Sequence, residues 1–139
     1  MANSEKLIVR KIGLEEIKNN LYTYKAHVLD VYDGDTITVA IDLGMDIYKK
    51  TKIRFYGINA PELDGSRLSD KEKAEARRSK NYVYRKISSK EIYIQTVKDK
   101  TEKYGRYLGI IWVLNEKNKD YECLNDMMLR NNLAKSLLY

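Results

Sequence analysis

Apolar positions along this chain change period several times, and each change marks an element. Leu14 and Ile17, with Glu15, Glu16 and Lys18 between and after them, have the spacing of a short helix that runs out at Asn19-Asn20. It falls within an N-terminal extension, residues 1–20, that can dock on the body of the protein. From Tyr24 the period drops to two. Ala26 and Val28, then Ile37, Val39 and Ile41, alternate with polar or small residues on either side of Asp33-Gly34, a turn dipeptide, which predicts a hairpin-like pair of strands. A second turn, Asp42-Leu43-Gly44, leads into a long strand over 47–58 that places Ile53 and Phe55 on one face and Lys52, Arg54 and Tyr56 on the other.

Asn59-Ala60-Pro61 interrupts pairing, because Pro has no amide hydrogen to donate. Residues 69–88 are rich in Lys, Glu, Arg and Ala and carry Val83 and Ile87 on one face, the pattern of a long helix. Glu91 to Val97 and Arg106 to Leu114 read as the fourth and fifth strands, and Asn115 to Asp120 as a polar turn. Leu124 to Asn131 has the Leu124, Met127, Met128 spacing of a short amphipathic helix ended by Asn131-Asn132. Three strands, a helix, two strands and a helix describe an α+β chain whose strands can close on themselves. That order is the order of a five-stranded OB-type β-barrel with two or three helices packed on it. No repeat or linker divides residues 21–139, which read as one domain.

Composition narrows the chemistry. With 43% hydrophobic residues in 139, the chain can bury a core. Its one cysteine, Cys123, cannot form an internal disulfide, and its one histidine, His27, cannot supply a zinc site or a His-rich catalytic cluster. The longest apolar run, Ile110 to Leu114, is far too short to span a bilayer, and the charged opening lacks a signal peptide's apolar core. A cytoplasmic monomer with no membrane partner is the expectation, with secretion of a processed form as the alternative. Lys and Arg number 26 against 20 Asp and Glu, a net charge of +6 that draws in polyanions, so nucleic acid is the expected partner.

Three clusters could carry chemistry. The turn Asp33-Gly34-Asp35-Thr36 places two carboxylates beside a glycine that permits unusual backbone angles, suited to a hard cation, although Asp and Gly are also ordinary hairpin punctuation. In Arg54 through Glu62, a strand arginine, the Asn59 amide and the Glu62 carboxylate surround a chain reversal. An arginine on an apolar strand either meets an anion or points to solvent, and the alternation alone allows both. Thr101 to Arg106 brings Lys103, Tyr104 and Arg106 together where a basic loop opens a strand. The basic residues of 69–88 read as a solvated face, Cys123 as a small buried hydrophobe and His27 as structural or exposed.

Taken in order, these clusters resemble the staphylococcal nuclease (thermonuclease) family: an Asp-Gly-Asp-Thr turn, an arginine strand running into Asp-x-Pro-Glu, and a Tyr-Gly-Arg turn. Leu133-Ala134-Lys135 resembles that family's Gly-Leu-Ala-Lys ending, with Asn132 in the glycine position. The resemblance covers about residues 24 to 135. It implies an OB barrel and a calcium-dependent endonuclease that cuts DNA and RNA to 3′-phosphate ends. By the same resemblance Asp35 and Asn59 are calcium ligands through their side chains and Ala60 through its carbonyl. Arg54 and Arg106 bind the phosphate, Glu62 is the general base, and Lys103 and Tyr104 line the nucleotide pocket. Two departures stand out: Asn59 takes the place of the family's aspartate, and the family's paired tyrosines after the last helix are lacking, with Tyr139 as a replacement for one of them. Retention of Asp35, Arg54, Glu62 and Arg106 favours an enzyme, whereas Asn59 favours the alternative, a catalytically silent OB-fold module that binds nucleic acid without cutting it.

Overall fold

The computed structural model describes residues 12–63, 67–97 and 107–137. A short helix, α1 (Leu14–Asn19), precedes three strands, β1 (Thr23–Asp33), β2 (Thr36–Asp42) and β3 (Tyr48–Phe55), and the two-residue β4 (Ile58–Asn59). The long helix α2 (Asp70–Ile87) leads to β5 (Glu91–Val97) and β6 (Tyr107–Leu114). A short β7 (Tyr121–Cys123), α3 (Leu124–Arg130) and a final two-residue β8 (Lys135–Ser136) follow.

The strands lie in the order β3-β2-β1-β5-β6-β7, each antiparallel to its neighbour. A parallel pairing of Ile53, Arg54 and Phe55 on β3 with Tyr107, Leu108 and Gly109 on β6 closes the sheet into a five-stranded barrel, with β7 added outside β6. Alternation puts Ile37, Val39, Ile53, Phe55, Ile92, Ile94 and Ile111 inside, and Leu124 and Met128 of α3 join the same core. At the closing seam the backbones come very near each other: a Cβ on Gly109 would sit 2.7 Å from Ile53 Cγ2 and 3.0 Å from Ile94 Cγ2. Asn125 of α3 fastens that seam. Its Oδ1 accepts from the Ile111 amide at 2.9 Å, and its Nδ2 donates to the carbonyls of Tyr56 at 2.8 Å and Gly109 at 3.0 Å.

Helix α2 begins with a capping box in which Ser69 Oγ accepts from the Glu72 amide while Glu72 accepts from the Ser69 amide. Those bonds hold the Glu72 carboxyl below its ordinary range. Its Ala76, Ser79, Val83 and Ile87 are buried, the helix packing on β1. Helix α1 has no buried residue; Gln95 Nε2 donates to its Asn19 carbonyl. Among the described residues no helix is long and apolar enough to cross a membrane.

Three local expectations change. The long strand over 47–58 is broken: β3 ends at Phe55, Gly57 takes φ +78°, and pairing resumes only at Ile58–Asn59, now with β8. The second turn is wider, with Met45 and Asp46 at φ +53° and +60°. Tyr121–Cys123 is a strand that three residues cannot announce by periodicity.

Gly109→Ala is expected to lower stability by about 1–3 kcal/mol, the usual range for overpacking where backbone and two buried isoleucines have no room. Urea unfolding followed by circular dichroism checks this; a loss under about 0.5 kcal/mol would mean the seam yields.

Candidate functional site

The acidic turn owes its position to an irregularity in β1. Strict alternation from Ala26 and Val28 would bury Asp30 and Tyr32. Instead the β1–β2 register shifts between Val28 and Asp30 and again between Val31 and Asp33, and both Leu29 and Asp30 are exposed. The extra residue moves Val31 and Asp33 to the buried side. Gly34 and Asp35 then form the turn into β2. Gly34 is required here for closeness: a Cβ would lie 2.8 Å from Ser79 Cβ and 2.9 Å from Ala60 Cβ, so only glycine lets the turn wedge between α2 and the segment after β4. The expected need for unusual backbone angles does not apply, since its φ is not in the left-handed region.

Asp35, 2% exposed, is the hub. Its Oδ1 accepts from Thr36 Oγ1 at 3.0 Å, and its Oδ2 accepts from the Ala60 amide at 2.9 Å. Arg54 Nη2 stands 3.4 Å from the same Oδ2 and donates to Asn59 Oδ1 at 2.9 Å. This guanidinium therefore bridges a buried carboxylate and an amide oxygen. Register explains the meeting, for Thr36 pairs with Arg54 across β2 and β3, and the Phe55 amide donates to the Asp35 carbonyl at 2.8 Å. Of the two open readings of Arg54, the anion-facing one holds.

Asn59 is placed by the end of the chain. It pairs with Lys135 in the β4–β8 ladder, and the Leu137 amide donates to the Gly57 carbonyl at 2.9 Å. That segment is aimed by Asn132, whose φ of +56° is the left-handed conformation that Asn tolerates better than most residues, which accounts for Asn where the related pattern has glycine. Buried Leu133 follows, its carbonyl accepting from Ser79 Oγ at 2.6 Å.

Beside these residues lies a cleft of about 470 Å³ between the 59–62 segment, α2 and the 132–135 segment. Glu62 is exposed on its wall. Asp35, Arg54, Asn59 and Ala60 are thus brought into one hydrogen-bonded group, with Glu62 on the same loop. Lys103, Tyr104, Arg106 and Tyr139 lie outside the described residues. Among the described residues no three His, Cys, Asp or Glu side chains gather as a metal centre. Cys123 is only partly buried, at the N-terminus of α3, and burial pushes its thiol up; His27 is exposed on β1.

The sequence marks Asp33 as one of two carboxylates in the acidic turn but gives it no role of its own, and it does not point to Ser79. Asp33 is 6% exposed, and its Oδ1 accepts from the Asp35 amide at 3.1 Å. Burial first, then hydrogen bonding and repulsion between the two carboxyls, with a smaller push from Glu62, raise its pKa to about 7, against the weaker opposing pull of the Asp35 amide. The native state therefore holds a proton that the unfolded chain has released, and this carboxyl weakens the fold progressively as pH rises from about 4 to about 7. In chelator, Asp33→Asn is expected to be more stable than the parent by up to about 4 kcal/mol at pH 8, a gain that shrinks to nearly nothing by about pH 4. Thermal or urea unfolding across that range checks it; a difference independent of pH would remove Asp33 from the titrating pair.

A family profile described as staphylococcal nuclease homologue matches residues 52–138. The match holds Arg54, Asn59, Ala60, Glu62, Lys103, Tyr104 and Arg106, while the turn at 33–36 precedes it. No curated protein matches the chain. With well over half of its length matched and a closed five-stranded barrel beneath it, the chain belongs to the staphylococcal nuclease homologue family.

Proposed function

We propose that this protein is a calcium-dependent phosphodiesterase that cleaves DNA or RNA to 3′-phosphate ends. The observation that carries the reading is the Asp35–Arg54–Asn59 bridge, which holds a guanidinium on a rigid strand within one loop of an exposed carboxylate, Glu62. A planar guanidinium suits a phosphodiester because it can bond two oxygens at once and stays charged at any working pH. Arg54 is the residue proposed to bind the phosphoryl group, joined by Arg106. Glu62, facing solvent, is proposed to accept the proton of the attacking water. Lys103 and Tyr104 are the proposed nucleotide contacts.

The oxygen set fits a hard cation. Asp35 Oδ2 and Asn59 Oδ1 already converge on one cationic nitrogen, at 3.4 and 2.9 Å, so the spot favours positive charge. Those two atoms and the Ala60 carbonyl would hold calcium. The ion, when bound, supplies Lewis-acid neutralisation of charge on the phosphoryl oxygens. Asp35 alone brings a formal charge, and Arg54 is drawn to the same oxygens, so the free protein should hold the ion weakly. That sharing also favours the second reading, a silent binding module in which Arg54 satisfies the oxygens permanently.

A plasmid-nicking assay separates the two. Nicking that appears with calcium and vanishes with excess chelator is expected; strand binding without nicking would establish the silent module, and full activity in chelator would sink the metal assignment. Arg54→Lys should lower turnover by about 10²–10³-fold with unchanged circular dichroism, because a point charge cannot replace the fork. Near-parental turnover would move Arg54 out of the chemistry.

Asn59→Asp is expected to tighten calcium binding about tenfold, or roughly 1.4 kcal/mol, by adding a second negative ligand. The gain is limited because the new carboxylate also attracts Arg54 more strongly. Calorimetric calcium titration of both proteins tests it, and equal affinities would place Asn59 outside the metal shell.

A further inference from the structure

The outer face of β3 carries a feature that the cleavage site does not use. Ile53 and Phe55 point into the barrel, and the residues of opposite parity, Arg54, Lys52 and Lys50, point out. Two residues of strand advance about 6.8 Å, so three cations stand in a straight row that begins at the site's own arginine. Their partners on β2 are Thr36, Thr38 and Ala40, all uncharged. Among the described strands of the sheet the exposed acid across from the row is Asp30, opposite Thr38 on β1 and therefore two strands, about 10 Å, from Lys52. At the far end the row stops at the Asp42–Tyr48 pair.

Lys52 is also oriented. Its Nζ stands 4.9 Å from the centroid of the Tyr32 ring, a cation–π contact that restrains the ammonium over the outer face. Such restraint reduces the side-chain entropy lost when a phosphate is bound. Lysines on a strand edge also deter pairing with other chains, and β3 beyond Ile53 has no second neighbour among the described residues. Edge protection, however, asks nothing of the face on which a lysine points, and here Lys50 and Lys52 share the face of Arg54, while Lys49, of the other parity, stands 6.0 Å from the centroid of the Tyr107 ring.

We propose that the outer face of β3 is a track for a single nucleic-acid strand leaving the cleavage site, with successive phosphates met by Arg54, Lys52 and Lys50. This rests on the nucleic-acid reading of the site and adds to it the direction in which substrate extends. Long strands then bind more tightly than short ones, with a steeper salt dependence, and the difference resides in two lysines remote from the reacting bond.

The test is fluorescence anisotropy in chelator, so that nothing is cut, with an oligothymidylate of about fifteen nucleotides and with a dinucleotide, from about 25 to about 200 mM salt. The double variant Lys50→Gln, Lys52→Gln should bind the long strand at least fivefold more weakly than the parent at low salt. Its slope of log affinity against log salt should be shallower by about 1.4, or 0.7 for each lost phosphate contact. Dinucleotide binding should not change. Lys117→Gln, Lys119→Gln, which removes the same charge from the turn between β6 and β7, is the control and should match the parent. Equal slopes and affinities in parent and β3 variant would overturn the track while leaving the nucleic-acid reading in place. An equal loss in the control would overturn it too, as an effect of net charge alone. A parent that binds neither probe would overturn the nucleic-acid reading, and the track with it.

Discussion

Closure of the barrel between β3 and β6 is the constraint from which the site follows. The three pairs that make it, Ile53 with Tyr107, Arg54 with Leu108 and Phe55 with Gly109, hold the C-terminal end of β3 between two neighbours, with β2 on its other side. A slip of one residue would turn Arg54 into the core and Phe55 to solvent, so the buried isoleucines that fix register also fix the guanidinium. Gly109 lets the backbones approach, and Asn125 uses both amide hydrogens and its oxygen to hold them there. Arg54 is therefore seated where β3 is paired on both sides.

On that frame the electrostatic problem is local. Asp35 is buried with its charge, and it is tolerated because Thr36, the Ala60 amide and Arg54 all address its oxygens. Removal of one partner from such a group leaves a stranded charge and commonly costs about 3–5 kcal/mol. Asp33 beside it is a second acid in the same dry corner and can be kept there only by holding a proton near neutral pH. A buried acid with a raised pKa beside a partnered one, as Asp33 is beside Asp35, weakens a fold above neutral pH, which is a common mark of a site kept for what it binds.

Much of this was legible in the sequence and some was not, for identifiable reasons. Alternation gave β2 and the face of Arg54 because those strands are regular, and Val83 and Ile87 gave the buried face of α2 because a long helix shows its period. The motifs brought Asp35, Arg54, Asn59 and Ala60 to one place by resemblance, but their contacts are a matter of register. Asp33 was hidden by the shift in β1, which reverses the parity on which its exposure would be judged. Gly34 looks like any turn glycine until Ser79, forty-five residues on, is found against it. The β4–β8 ladder is two residues long on each side, below any periodic signal. Asn125 reads as an ordinary helix residue, and only the carbonyls facing it show why an amide stands there.

That small ladder has a consequence for how the protein comes into being. Every strand of the barrel has ended by Leu114, and α3 with Asn125 completes its seam by Arg130. Asn59, by contrast, has no strand partner until Lys135 and Ser136 arrive. Its wall of the site joins residues some seventy-five positions apart, a long loop to close for a ladder this short. Once α3 has packed, the barrel and Arg54 are in place while the companion oxygen of Asn59 still lacks its ladder. A chain stalled just short of Lys135 would keep its barrel and α3 and leave Asn59 without a strand partner, so the 135–136 segment decides when this wall of the site is set.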